Sequence, residues 1–190
     1  MEAVGSIITF GRYDWRVLDV RDNKALILSL KTIESRAYNE VLTDVTWEDC
    51  DLRRYLNGEF YNQFTEEEKS LISVAQIKNS DNPWYGTGGG NYTIDRIFLL
   101  NIEEVVQYFG DSGLLRNGNS KNKFWLNDNY NSSRVAYGAS GKASWWWLRS
   151  PGGDNRRVAG VGRDGGIFIG GLGVDDNSGY VRPALLLKLY

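Results

Sequence analysis

The sequence contains no histidine and only one cysteine, Cys50. Without histidine the chain cannot form a Ser-His-Asp or Cys-His catalytic site, a HExxH zinc site or a histidine-ligated haem. A single thiol excludes both an intrachain disulfide and a CxxC pair. The Asp and Asn clusters at 127–129 and 175–177 lack the spacing of a calcium loop and are typical of solvated turns. The sequence therefore predicts no bound metal and no cofactor.

The chain also has no excess of charge of one sign. Lys and Arg number 22 and Asp and Glu number 24, giving a net charge of -2 without a long run of either sign. Nucleic acid is therefore not an expected partner. The opening residues carry Glu2 and Arg12 around a short apolar run, so we expect neither a signal peptide nor membrane insertion. With 190 residues, 42% of them hydrophobic, the chain predicts one domain over 1–190.

Two regions of the chain predict short antiparallel strands. Near the start, apolar and polar residues alternate over 6–10, 15–20 and 24–30, with turn residues between these segments. After Trp145, short apolar pieces are separated by glycines and by clusters of Asp, Asn and Arg. This pattern is typical of strands joined by long turns.

The middle of the chain predicts helices with recognisable ends. One helix is expected between Thr46 and Gly58. Two others begin with capping boxes, Thr65 with Glu68 and Asn101 with Glu104. The predicted fold is therefore α+β, with helices in the middle and short antiparallel strands at both chain ends.

Two polar segments of the sequence predict loops. The segment 79–93 contains GTGGGN, which lacks the GK[ST] ending of a phosphate-binding loop, so a flexible loop is favoured there. The segment 117–131 is rich in asparagine and has no helical period. Its composition predicts a surface loop pinned by Phe124 and Trp125.

Three consecutive tryptophans, Trp145 to Trp147, are the densest aromatic feature. In a strand, Trp145 and Trp147 would share one side and Trp146 would face the other. Two hypotheses remain open for them. They either pack in the core or form a platform on which a sugar stacks.

An ordered set of motifs carries a family resemblance over essentially the whole chain. The motifs are FGRYDWRVLD, TWEDCDLRRYLN, DRIFLLNIEEV, WWWLRSPGG, DGGI and GYVRPALLL. The chain resembles an uncharacterised family of bacterial and phage domains of unknown function, of the DUF6273 type. That family is in turn similar to C-type-lectin-fold proteins, in the branch shared by formylglycine-generating enzymes and the variable proteins of diversity-generating retroelements.

The resemblance implies a C-type-lectin-like fold with a ligand face at its C-terminal end. The framework of that face would be Trp147, Arg149, Ser150, Gly179 and Arg182. Formylglycine-generating enzymes resemble copper oxidases that use a pair of cysteines, and the related sulfoxide synthases hold iron through histidines. One cysteine and no histidine cannot supply either site. The resemblance therefore favours a binding protein that is not an enzyme.

The residue types missing from the C-terminal region favour the retroelement branch. Retroelements of this kind resemble one another in mutating adenines of AAC codons, and the resulting NNC codons never encode Lys, Glu, Gln, Trp or Met. None of these types occurs from Leu148 to Leu187, although the chain contains 29 of them. About six would be expected in forty residues of average composition. The segment 148–187 is thus the predicted variable region.

Exposed positions on this predicted framework would bind the ligand, as antibody loops do on their scaffold. They are Asp154, Asn155, Arg156, Arg157, Gly162, Arg163, Phe168, Leu172, Asp175, Asp176 and Asn177. The expected partner is a macromolecule, either a protein or a cell-surface glycan, and the expected location is a phage virion or a bacterial cell surface. Two alternatives stay open: a cell-surface or glycan-binding module of fixed specificity, and an enzyme using carboxylates near the 79–93 loop.

Overall fold

A computed structural model describes residues 3–117 and 124–189 of the chain. Its first three strands form a meander, β1 (Ile7–Phe10), β2 (Tyr13–Arg21) and β3 (Lys24–Ser29). The turn between β2 and β3 places Asp22 and Asn23 at φ angles of 49° and 57°, a region that short polar side chains tolerate. The predicted antiparallel strands near the start of the sequence are confirmed.

The strand β14 (Ala184–Lys188) occupies the centre of the largest sheet. One edge of β14 pairs with β3 along its whole length. Its other edge pairs first with β7 (Ile97–Phe98) and then with β4 (Ile72–Ser73). The sheet therefore joins segments that lie far apart in the sequence.

The glycine-rich end of the chain forms a second antiparallel sheet. Its order is β11-β12-β13-β8, with β11 (Trp146–Pro151), β12 (Arg157–Val161), β13 (Ile167–Gly173) and β8 (Trp125–Leu126). Two further strand pairs are β5 (Ala75–Ile77) with β6 (Thr93–Asp95), and β9 (Ala136–Tyr137) with β10 (Ala143–Ser144). The strands predicted after Trp145 are confirmed.

The helices are short. They are α1 (Asp51–Tyr55), α2 (Glu66–Leu71), α3 (Ile102–Phe109), α4 (Leu114–Asn117) and α5 (Asn131–Arg134). Both predicted capping boxes are confirmed, since Thr65 and Asn101 each exchange two hydrogen bonds with the glutamate three residues later. These signals depend on neighbouring residues only, which explains why the sequence identifies them.

The helix predicted between Thr46 and Gly58 is only partly correct. It begins at Asp51, capped by the sulfur of Cys50, and continues into a π-turn (Leu56–Phe60) and a 3-10 turn (Tyr61–Gln63). Within the π-turn, the Asn57 amide donates to the Ile97 carbonyl at 2.8 Å and accepts from the backbone N–H groups of Arg96 and Ile97. These contacts with a distant strand fix the local geometry.

The predicted C-type-lectin-like α+β layout, in the formylglycine-generating-enzyme-like branch with helices in the middle, is wrong. Within the residues that the structure describes, 33% are in strands and 19% in helices, and the strands form several small antiparallel sheets. Four strands, β4 to β7, lie between the predicted helices that begin at Thr65 and Asn101, and no described helix exceeds the eight residues of α3. The capping signals identify where helices start, but the helix after Thr65 ends at Leu71, and the next residues, Ile72 and Ser73, pair with β14.

The buried side chains form one contiguous hydrophobic core, in which Trp15, Trp47, Trp146 and Trp147 are fully buried. Tyr180 fixes the edge of β11, because its carbonyl accepts from Trp147 N–H at 3.1 Å and its N–H donates to the Trp145 carbonyl at 3.0 Å. The rest of the second sheet extends from this attachment. Within the polar segment 117–131, residues 118–123 lie outside the described part of the chain.

Candidate functional site

The antiparallel pair β12 and β13 forms the base of the candidate site. At one end of the pair, Arg157 lies opposite Gly173 and Val158 opposite Leu172. The register shifts between Val158 and Gly160. Facing this irregularity, Gly171 has a φ of +77°, and a Cβ atom there would lie 2.8 Å from the Val158 carbonyl. A glycine is therefore required where the pair bends.

A cleft of about 550 Å³ opens at this end of the strand pair. We call it the hairpin cleft. It brings together five of the predicted ligand-binding residues, namely Asp154, Arg156, Arg157, Leu172 and Asp175. Leu42, Phe124, Gly171 and Gly173 complete its lining. Neither Leu42 nor Phe124 is among the predicted ligand-binding residues, because both come from segments distant in the sequence, and Phe124 is expected only to pin the 117–131 loop.

The charged side chains of the hairpin cleft remain available to a ligand. Arg157 Nε lies 3.8 Å from Asp154 Oδ2, and the two side chains are 52% and 57% exposed. An exposed pair at this distance contributes little to stability, so solvent or a ligand can readily replace it. Arg156 is also exposed, and its guanidinium is 3.5 Å from the Leu42 carbonyl.

The backbone beneath these side chains is held in place by hydrogen bonds. Gly152 N–H donates to the Arg157 carbonyl at 2.7 Å, and Gly153 N–H donates to the Gly170 carbonyl at 2.8 Å. The half-buried Asn155 donates through Nδ2 to the Gly88 carbonyl at 3.0 Å. Its own carbonyl accepts from Val45 N–H at 2.9 Å. The turn therefore presents exposed side chains on an ordered main chain.

Asn82 anchors the 79–93 loop beside the cleft. It is buried, and its Nδ2 donates to the carbonyls of Pro151 and Ile169, both at 2.8 Å. Its Oδ1 accepts from the backbone N–H groups of Trp84 and Tyr85. The sequence analysis did not identify Asn82. The Asn-Pro step at this position is a turn signal that marks such a residue.

The remaining predicted ligand-binding residues do not line the cleft. Gly162 and Arg163 lie in the turn at the opposite end of the pair, where Arg163 is exposed and Gly162 is buried. Asp176 and Asn177 follow β13, half-buried and exposed respectively. Asp176 accepts from both the N–H and the hydroxyl of Ser178.

Phe168 is buried, contrary to the expectation from the sequence. Its side chain is 9% exposed, and its ring centroid lies 3.6 Å from that of Trp125. Trp125 lies in β8 directly opposite Phe168, although the two are 43 positions apart in the sequence, and it covers this face. The expectation that Phe168 and Gly162 are exposed is therefore wrong.

The five predicted framework residues are all buried. Trp147 donates through Nε1 to the Arg36 carbonyl at 2.8 Å, and a Cβ atom on Gly179 would overlap this indole. Ser150 accepts through Oγ from the N–H of Ile102 at 3.0 Å, at the start of α3. These contacts attach β11 to three neighbouring segments.

Both framework arginines bind backbone carbonyls. Arg149 donates to the carbonyls of Leu99 and Lys78 and also pairs with Glu104. Arg182 donates through Nε to the Ser29 carbonyl at 3.0 Å. Its guanidinium carbon lies 4.8 Å from the ring centroid of Trp146. Burial lowers the pKa of Arg182 to about 9, with the nearby Arg16 contributing.

The tryptophan triplet belongs to the core. Trp145, Trp146 and Trp147 are all buried, and the ring centroids of Trp145 and Trp147 are 4.6 Å apart. The core-packing hypothesis is confirmed, and the hypothesis of a sugar-stacking platform on these residues is wrong.

The single thiol has the environment of a structural cysteine. Burial raises the pKa of Cys50 to about 12, so the thiol stays protonated at neutral pH.

In the loop 79–93, Asp81 accepts the N–H of Gly89 at 3.0 Å and so stabilises the loop itself. Among residues 3–117 and 124–189, no three His, Cys, Asp or Glu side chains lie together as a potential metal site.

Comparison with known proteins gives one match. A family model described as "Domain of unknown function (DUF6273)" matches residues 22–189. No curated protein matches the chain significantly, and neither does any solved structure. A search of the described helices found none with the length and apolar character needed to cross a membrane.

Proposed function

The chain belongs to the DUF6273 family, whose function is unknown, and we propose a function from the geometry of the hairpin cleft. The protein is a non-catalytic binding protein, and its hairpin cleft recognises a macromolecular ligand. The observation that carries this proposal is the convergence of Asp154, Arg156, Arg157, Leu172 and Asp175 around one cleft. Each lies in a short segment held by backbone hydrogen bonds.

The chemistry of the cleft suits recognition of a surface. Arginine and aromatic side chains contribute most of the energy at protein interfaces, and the cleft combines Arg156 and Arg157 with Leu42, Leu172 and Phe124. An ordered backbone reduces the entropy lost on binding. A cleft of about 550 Å³ has room for a few protein side chains or for part of a glycan chain.

The charges of the cleft favour a ligand of mixed polarity. Two arginines and two aspartates line it, so their formal charges cancel. Such a lining offers both donors and acceptors to a protein or a glycan, and it lacks the positive excess that a nucleic acid requires.

The proposal includes diversification of this surface by a retroelement. The charged cleft residues Asp154, Arg156, Arg157 and Asp175 lie within 148–187, the region without Lys, Glu, Gln, Trp and Met. The gene neighbourhood tests this part. A reverse-transcriptase gene beside a near-copy of the coding segment, with mismatches at adenines, would support it. Absence of both would leave a binding module of fixed specificity.

The binding role is tested with variants of the cleft. Because the ligand is unidentified, the probes are peptides selected from a random library on the wild-type protein and an array of bacterial surface glycans. We expect selected binders to lose at least tenfold in affinity for an Arg156→Ser, Arg157→Ser, Asp175→Tyr variant. Arg163→Ser, which removes an exposed arginine at the other end of the pair, is the matched control and should change affinity less than twofold. Undiminished binding to the cleft variant would contradict the proposal.

A further inference from the structure

A second exposed surface lies on the strand pair β5 and β6, which shares no residue with the hairpin cleft. Gln76 lies directly opposite Ile94 in this antiparallel pair. Side chains alternate between buried and exposed along both strands. The exposed side chains are Val74, Gln76, Lys78, Tyr92, Ile94 and Arg96, and we call their common surface the outer face.

The outer face has an unusual share of exposed apolar area. Val74, Tyr92 and Ile94 are 49%, 60% and 61% exposed. Ile94 lies in β6 with Tyr92 two residues before it, and Val74 lies just before β5 at the other end of the pair, so the three form a diagonal band. Contiguous apolar surface of this kind marks an interaction site more often than scattered single residues do.

Two cations flank this band. Lys78 and Tyr92 lie just beyond one end of the strand pair and Val74 and Arg96 just beyond the other, so the two cations stand at opposite corners of the face. The six residues of the face include no carboxylate. The guanidinium of Arg96 lies 5.1 Å from the ring centroid of Tyr61, which holds it at its corner. The face is therefore apolar along its diagonal and positive at both ends.

Buried hydrogen bonds hold the strand beneath the outer face in place. Asp95 is the last residue of β6, and its side chain is buried on the inner side of the strand. Its carboxylate accepts from Trp47 Nε1 at 2.9 Å, Arg53 Nε at 2.6 Å and Thr93 Oγ1 at 2.7 Å. These three bonds fix the strand that carries Tyr92 and Ile94. A preorganised surface loses little entropy when a partner docks.

We propose that the outer face docks an acidic amphipathic helix of a partner protein. A helix satisfies its own backbone hydrogen bonds, so it can lie on the face of a sheet without leaving polar groups unpaired. An apolar stripe would cover Val74, Ile94 and Tyr92, while carboxylates pair with Lys78 and Arg96. The apolar band from Val74 to Tyr92 is roughly 14 Å long, which corresponds to about nine residues of helix. A second copy of this chain fits less well, because its outer face would bring cations against cations.

The test uses a synthetic helical peptide as the probe. It carries leucines at i, i+4 and i+7 with flanking glutamates, and a matched peptide carries lysines in place of the glutamates. We expect the acidic peptide to shift the NMR signals of residues 74–78 and 92–96 in the wild-type protein. The basic peptide should bind at least tenfold more weakly.

Charge reversal then distinguishes docking from general peptide association. Lys78→Glu with Arg96→Glu should weaken binding of the acidic peptide at least tenfold and strengthen binding of the basic one. Lys142→Glu with Arg163→Glu, at two other exposed positions, should change neither more than twofold. Ile94→Ser with Tyr92→Ser should weaken binding of the acidic peptide without unfolding the protein. Equal binding of both peptides, shifts elsewhere on the protein, or a wild-type dimer abolished by Ile94→Lys would overturn the proposal.

Discussion

Arg149 and Glu104 form a two-point ion pair that ties β11 to the first turn of α3. Arg149 Nη1 lies 2.6 Å from Glu104 Oε2, and Nη2 lies 2.7 Å from Oε1. The same Oε2 accepts from the N–H of Asn101, so one carboxylate serves both the capping box and the ion pair. The contact joins the second sheet, which carries the hairpin cleft, to the rest of the core.

Removing Arg149 should therefore destabilise the protein. Arg149→Met should lower the free energy of unfolding by about 3 kcal/mol, because a buried pair is broken and backbone carbonyls lose their donor. Urea denaturation measures this. Arg54→Met, which breaks the exposed pair with Asp51, is the control and should cost less than about 1 kcal/mol. Equal losses in the two variants would contradict the structural role of Arg149.

Arg182 should matter more through its volume than through its charge. It forms no ion pair within the described part of the chain and lies between Phe109 and Trp146. Arg182→Ala should cost about 2–3 kcal/mol because it opens a cavity. Arg182→Met should recover most of that loss, since an apolar side chain of similar length avoids the desolvation of a buried charge. If thermal and urea unfolding show both variants equally destabilised, the hydrogen bond to Ser29 is the important contact.

Asp128 should contribute to stability in a pH-dependent way. Its predicted solvated turn is wrong for this residue, whose side chain is 3% exposed beside Arg134. Burial raises the pKa of Asp128, but hydrogen bonds from Arg134, Ser112 and the Tyr130 N–H outweigh that effect and lower it overall. Since the folded-state pKa lies below that of the unfolded chain, this stabilisation is present above about pH 4 and is lost as the pH falls further.

The Asp128→Asn variant isolates this contribution. It should be less stable than the wild type by about 3 kcal/mol at pH 7, because Arg134 stays buried without its counterion. The difference should shrink as the pH falls toward about 2. Urea midpoints measured at several pH values provide the test, and a difference that is constant with pH would argue against the ion pair.

Substitution of Phe168 should lower the stability of the protein far more than substitution of Arg157. Phe168→Asn should lower stability by about 3 kcal/mol or more, because it removes a buried ring and places an amide in the core. Arg157→Ser should change stability by less than about 0.5 kcal/mol. Melting temperatures of the two variants test this, and a tolerated Phe168→Asn would place Phe168 back among the exposed positions.

The features that the sequence predicted correctly are those encoded by neighbouring residues. Thr65 with Glu68 and Asn101 with Glu104 are three residues apart, and each pair forms the expected cap. The burial of Phe168 depends on pairing with Trp125, more than forty positions away. Local alternation alone gives no information about such a partner, and for this reason the sequence pattern predicts Phe168 on the surface.

The same distinction applies to the site. Arg156 and Arg157 stand out in the sequence because charged residues interrupt a glycine-rich apolar region. Leu42 has no such signal, since its position beside Arg156 arises only when separate loops meet. Asn82 likewise joins carbonyls of Pro151 and Ile169 that lie about 70 and 90 residues further along the chain. The predicted fold class is wrong for the same reason, because β14 pairs with distant segments, including β4 at the end of a predicted helix.

The position of β14 between β3 and the pair of β4 and β7 affects how the chain folds. The first three strands can form a meander early, yet their sheet gains its central neighbour only when residues 184–188 arrive. Closing a loop of some 150 residues costs entropy before the pairing compensates for it, so we expect folding on the millisecond-to-second scale. Until then the edge of β3 stays unpaired. During synthesis on the ribosome this edge is the segment most exposed to chaperones and to aggregation.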